Sequence, residues 1–249
     1  MDYLGDKNLY NKIDLIPGME RGQMFGPGRY IDTEDQQLHK FTGIETDIPW
    51  IFVNTNPDLY CMDYRGIFDG FNFIPSKCLN CYKIVVMPQS FHQLMQLMDL
   101  MGNLARENPK CWCKCGIERR DFVPRSYGGY FYTRGLEQGR VRYKTVRRAV
   151  SEHISPDVNV ILKRYCTEFE MLLGPSDKYV QPERAKGIER QIWCNVHLEK
   201  SARPQPDFVK MHIIKQWMLF AWGRGDMTVK QYNNNQPLYP GYVTYHDEE

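Results

Sequence analysis

The stretch Tyr82-Lys-Ile-Val-Val-Met87, closed by Pro88 and followed by Ser90-Phe-His-Gln93, decides how this chain folds. The first six residues are a short run rich in β-formers that ends at a proline, which predicts a strand. Ser90 with Gln93 three residues on is a capping box, the signature of a helix start. Leu94, Leu97, Met98, Met101 and Leu104 then recur at helical spacing, so 90–106 is predicted as an amphipathic helix that Asn108-Pro109 ends.

The same reading carries outward. Strands are predicted over about 113–120 and 128–134, with Val123-Pro124 and Ser126 in the turn between them. A helix over 136–154 carries the apolar stripe Leu136, Tyr143, Val146, Val150 and Ile154, beside Arg140, Arg142, Lys144, Arg147 and Arg148. A fourth strand is predicted over 158–169. The order strand, helix, strand, strand, helix, strand is that of a ferredoxin-like split βαβ core, an α+β fold. The expected organisation is a metal-binding core over 71–175, an N-terminal extension over 1–70 that wraps it, and a C-terminal strand–helix extension and tail over 176–249. In the flanks a strand is expected at 50–53. Alternation of Ile192, Cys194, Val196 and Leu198 predicts another over 188–199. Asp207 is the expected cap of a helix whose stripe is Phe208, Met211, Ile214, Met218 and Trp222, stopped at Gly223.

Composition narrows the classes. Of 249 residues 42% are hydrophobic and 13% aromatic, enough for a core, so a wholly disordered chain is excluded. With 32 Lys and Arg against 30 Asp and Glu, no global field announces a polyanion partner. The longest apolar runs, at 84–87 and 217–222, fall far short of the ~20 residues of a membrane span. The opening residues lack the layout of a secretion signal, so a cytoplasmic protein with reduced or metal-bound cysteines is expected.

Eight cysteines stand at 61, 78, 81, 111, 113, 115, 166 and 194. Cys78-Leu-Asn-Cys81 can form a knuckle, and the alternation in Cys113-Lys-Cys115 points two sulfurs the same way. In a ferredoxin-like topology the first and second strands start at the same end of the sheet. The expectation is therefore a closed structural tetrathiolate of Cys78, Cys81, Cys113 and Cys115, with Cys111 or Cys166 as replacements. Knuckle-like spacing favours Zn2+ over an iron–sulfur cluster.

The sheet face opposite the helices should be available to a ligand. Val158, Val160, Leu162 and Phe131 are phased toward the helices, which sends Lys83, Tyr130, Tyr132, Arg134, Lys163 and Tyr165 outward. Aromatics beside cations stack bases and neutralise phosphates, so RNA or single-stranded DNA is the expected partner. The alternative is a nucleic-acid- or nucleotide-processing enzyme that uses Glu168, Glu170 or His197 on the same surface. A further alternative is a protein-interaction module that docks a partner through its apolar C-terminal helix. No Walker loop, nucleophile elbow or His-Glu-x-x-His helix is present.

Overall fold

A computed structural model describes residues 29–31, 38–40, 48–55, 61–195, 205–238 and 243–245. Strands β1 (Arg29–Ile31) and β2 (Leu38–Lys40) pair with each other as a separate antiparallel ribbon. Then follow β3 (Trp50–Asn54), α1 (Cys61–Phe71), β4 (Cys81–Met87), α2 (Phe91–Glu107), β5 (Cys113–Ile117), β6 (Tyr127–Arg134), α3 (Leu136–His153) and β7 (Asn159–Arg164). Three α-helices follow, α4 (Thr167–Leu173), α5 (Arg184–Asn195) and α6 (Asp207–Gly223), and then a 3-10 turn over Met227–Tyr232. The fold is α+β around a five-stranded antiparallel sheet of order β3-β5-β6-β4-β7.

The strand and helix predicted from 82 to 106 form as β4 and α2. Ser90 Oγ accepts from the Gln93 amide at 3.2 Å, while the Gln93 side chain reaches back one residue further, to the Gln89 amide at 2.8 Å. One face of the sheet carries Ile51, Ile84, Val86, Cys113, Cys115, Phe131 and Val160. Against it pack Leu94, Leu97 and Met101 of α2, Val146 and Val150 of α3, and Val209, Ile213 and Trp217 of α6. The predicted strand at 50–53 adds the fifth, edge position. Its outer side is blunted by Gln205, which donates to the Trp50 carbonyl and accepts from the Phe52 amide.

Two glycines set how closely these layers meet. A Cβ on Gly129 would lie 2.4 Å from Leu97 Cδ2, the end of a side chain that can turn away. A Cβ on Gly116 would lie 1.9 Å from the backbone oxygen of Pro49, just before β3. Gly116→Ala is therefore expected to cost ~3 kcal/mol, the top of the overpacking range, because backbone must move. Gly129→Ala is expected to cost ~1 kcal/mol. Urea denaturation of the two variants side by side checks the order.

Three expectations are corrected. The strand predicted over 158–169 ends at Arg164: Tyr165 takes a left-handed φ of 64°, and Glu168 and Glu170 open a helix, where carboxylates favour the N-terminal dipole. The strand predicted over 188–199 is α5 up to Asn195. Its buried positions Ala185, Glu189 and Ile192 follow a spacing of four and three, the helical period. The C-terminal helix forms, but it buries Val209, Ile213, Trp217 and Ala221 and leaves Phe208 and Met211 exposed. Pro206, not Asp207, stands at its cap. This helix is apolar almost all round, so spacing alone does not select a face. No helix among the described residues is long and apolar enough to cross a membrane.

Candidate nucleic-acid interface

The register bears out the phasing of the sheet. Ile84 lies opposite Phe131 and Leu162, so Lys83, Tyr132 and Lys163 share the next row on the face away from α2 and α3. Tyr130 and Arg134 follow the same parity. That face is not bare, and this is the main correction to the expected ligand platform. Phe68 of α1 meets Phe169 of α4 with ring centroids 4.4 Å apart, and Ile74 and Tyr165 complete that cluster. Lys83 and Tyr130 are 7% and 4% exposed and Tyr165 is 1% exposed, so none offers a stacking surface. Burying four apolar side chains on this side is worth more than leaving a cationic strand face in water.

Beneath the covering helices lies a buried charge network. Arg120 grips Glu118 as a fork, with Nε–Oε1 and Nη2–Oε2 both at 2.6 Å. Arg120 also donates to Glu168 Oε1 at 2.7 Å, and Arg65 approaches the same oxygen at 3.7 Å. The Tyr130 hydroxyl donates to Glu118 Oε2 at 3.1 Å and accepts from Arg125 at 2.7 Å. Burial alone would raise the Glu118 and Glu168 carboxyls, but hydrogen bonds, those from Arg120 prominent among them, hold both below the usual carboxylate range. Glu170 is tied to Lys163. The two acids considered for proton or metal chemistry thus serve to neutralise cations. His197 and Glu199 lie outside the described residues. Lys114 stands over the rings of Trp50, Phe52 and Tyr130, 4.5 Å from the first centroid, and burial brings its ammonium down to about 8.

Among the described residues, the end of the sheet where β4 begins stays reachable. A cavity of about 310 Å3 opens there, lined by the rings of Tyr64, Trp112 and Tyr132 and by Lys77, Asn80, Cys81 and Arg134. Lys77, Asn80 and Arg134 are exposed; Trp112 and Tyr132 are half-buried. Two backbone bonds hold the walls together: Tyr132 N to the Trp112 carbonyl at 3.0 Å, and Gly135 N to the Asn80 carbonyl at 2.8 Å. The edge of Trp193 in α5 supports Tyr64 at a centroid distance of 6.1 Å. Of the expected surface residues, Tyr132 and Arg134 belong to this cavity. Tyr64, Lys77 and Trp112 were not anticipated. The visible signal for Trp112 was its place between Cys111 and Cys113.

The cysteines divide between the two faces. Cys111, Cys113 and Cys115 sit in the apolar core with α2. Cys81 shares the parity of Lys83 and points to the other face, and Cys78 packs with Phe68, Ile74, Tyr165 and Phe169. The fold therefore does not bring Cys78 and Cys81 together with Cys113 and Cys115. The two strand starts do lie at one end of the sheet, as the topology required. Neighbouring positions on a strand face opposite ways, and that separates the sulfurs. As placed, no three His, Cys, Asp or Glu among the described residues are grouped so that they could hold a metal ion.

No protein-family model, no curated protein and no solved structure matches this chain.

Proposed function

We propose that the chain binds single-stranded nucleic acid, RNA or DNA, at the cavity beside the start of β4. The observation that carries this reading is the lining itself: three aromatic rings with two exposed cations, Lys77 and Arg134, at one opening. A base can stack where Trp112 and Tyr132 stand, and the flanking phosphates can pair with the two cations. The cavity volume is at the lower end of what small-molecule sites use, enough for one base rather than a folded ligand. The scaffold fits this role. The β5-β6-β4-β7 part of the sheet, with α2 and α3 on one face, has the strand order of a ferredoxin-like core.

Fluorescence anisotropy with a labelled oligonucleotide tests the proposal. Trp112→Ala is expected to remove one stacking contact of ~1–3 kcal/mol, a loss of about 5- to 150-fold in affinity. Arg134→Ala is expected to weaken binding and to make the salt dependence shallower by about 0.7 in the log–log slope, one phosphate contact. Wild-type binding that is flat in salt and indifferent to both variants would sink the reading. It would favour instead a protein partner on α6, where Phe208 and Met211 present 58% and 60% of their surface.

A further inference from the structure

Cys78, Cys81 and Cys166 lie on the side of the sheet that α1 and α4 cover, and Cys61 stands exposed at the start of α1. Cys61 is the first residue of α1, Cys78 ends the 3-10 turn Ser76–Cys78, Cys81 opens β4 and Cys166 precedes α4. Cys78 and Cys166 pack against the same group of Phe68, Ile74, Tyr165 and Phe169. The Tyr165 amide donates to the Cys81 carbonyl at 3.1 Å, which sets Cys166 beside the start of β4. Lys83, two residues after Cys81 on the same face, holds its Nζ 3.5 Å from Cys166 Sγ. Tyr64, one turn after Cys61, lines the cavity that Cys81 also lines.

We propose that Cys61, Cys78, Cys81 and Cys166 form a tetrathiolate site for a zinc ion, with Lys83 as the cation that compensates its charge. The chemistry of the group supports this. Cys78 and Cys81 each lie within electrostatic reach of Cys166 and of Cys61. Four thiol S–H groups supply the donor set of a closed tetrahedral zinc site. A soft divalent ion replaces those protons: one Zn2+ enters, four thiol protons leave, and the resulting complex carries a net charge of −2. The ammonium of Lys83, 3.5 Å from Cys166 Sγ, stands where it can offset that charge. The described residues do not yet stand at ligating distance. The ion must draw the sulfurs to about 2.3 Å, and Cys61 and Cys166 each lie at a helix end, where a small displacement breaks no ladder.

The inference is independent of nucleic-acid binding, since it concerns what holds the covering layer to the sheet. Elemental analysis of the full chain, purified under reducing conditions and incubated with zinc, is expected to find about one zinc per chain. Cys61→Ser, Cys78→Ser, Cys81→Ser and Cys166→Ser should each lose it, whereas Cys115→Ala should keep it. Cobalt loaded into the wild-type chain supplies a second readout that does not depend on the folding of a serine variant. Tetrahedral visible bands with strong sulfur-to-cobalt charge transfer are expected, weakened in Cys61→Ser to those of a three-sulfur site. A folded wild-type chain that takes up neither metal while all its thiols remain reactive overturns the proposal. So does zinc that persists in Cys61→Ser and Cys166→Ser but is lost in Cys115→Ala. Oligonucleotide binding abolished by Trp112→Ala with zinc intact would leave the two conclusions separate.

Discussion

Replacing Arg120 with Met is expected to cost roughly 3 kcal/mol at neutral pH, a fall in Tm of about 6–12 °C. Arg120 supplies both arms of the fork on Glu118, whose side chain is wholly buried, and a third bond to Glu168. Without it, a carboxylate remains out of water with the Tyr130 hydroxyl and a guanidinium, Arg125, 3.9 Å away. That residual partner keeps the cost at the lower end of what breaking a buried pair entails. The pH dependence separates this cause from lost packing. In the wild type Glu118 and Glu168 sit below their unfolded values. Their contribution is present above the unfolded pKa, near 4.3, and is lost as pH falls through the lower folded values. In Arg120→Met burial dominates Glu118 and reverses the sign, because the protonated form becomes the one the fold prefers. The difference in urea midpoint between wild type and variant should therefore narrow from pH 7 to pH 4.5. An equal difference at both would mean that packing, not charge, is what Arg120 supplies.

Asp226→Ala should have an effect of similar size, roughly 3 kcal/mol. Asp226 Oδ2 accepts from the Tyr127 hydroxyl and from the Phe91 amide, both at 2.6 Å, and Oδ1 accepts from the Thr228 amide at 3.1 Å and its hydroxyl at 2.7 Å. One carboxylate thus ties the turn after α6 to β6 and to the first residue of α2, where a negative charge also meets the helix dipole. Removing it strands the hydroxyl of Tyr127, a residue only 2% exposed, at ~1–3 kcal/mol, and leaves an amide of the first turn of α2 without its acceptor, at ~1 kcal/mol. Asp226→Asn keeps one acceptor and should recover about half. Burial would raise the Asp226 carboxyl, but bonds from Tyr127 and Thr228 hold it below its ordinary value. The stabilisation is therefore present at neutral pH and fades as pH falls through that lowered value. Thermal melts of both variants at pH 7 and pH 4 check the size and the sign.

Neither network was legible beforehand. Asp226 follows a Gly-rich turn and matches no motif; its four partners come from positions 91, 127 and 228 and meet only in space. Glu118, Arg119 and Arg120 read as one short charged run, and nothing local says that two of them turn inward beneath α4. The cysteines show the same limit from another side. Phasing Lys83 outward already implied that Cys81 points with it, since both have the same parity on one strand. The direction of Cys113 and Cys115 depended on which side of β5 meets α2, and Lys-Cys-Gly carries no apolar alternation to say so. α5 reads as a strand because a short apolar run fits either period, and the buried stripe of α6, though not the helix itself, escapes because a helix apolar on every side has no preferred face.

Local spacing determined the succession of β4, α2, β5, β6, α3 and β7, their lengths to within a few residues except at the end of β7, and the two sides of β4, β6 and β7. These depend on periods of two and 3.6 that each segment carries within itself. The tertiary structure alone decided that α1, α4 and α5 close over the second face. That closure buries Lys83, Tyr130 and Tyr165 and leaves an aromatic and cationic cavity at one end. Such contacts join residues more than a hundred positions apart, as Tyr64 and Trp193 are. They are selected by which apolar surfaces remain uncovered once the sheet exists, a quantity that no single segment contains.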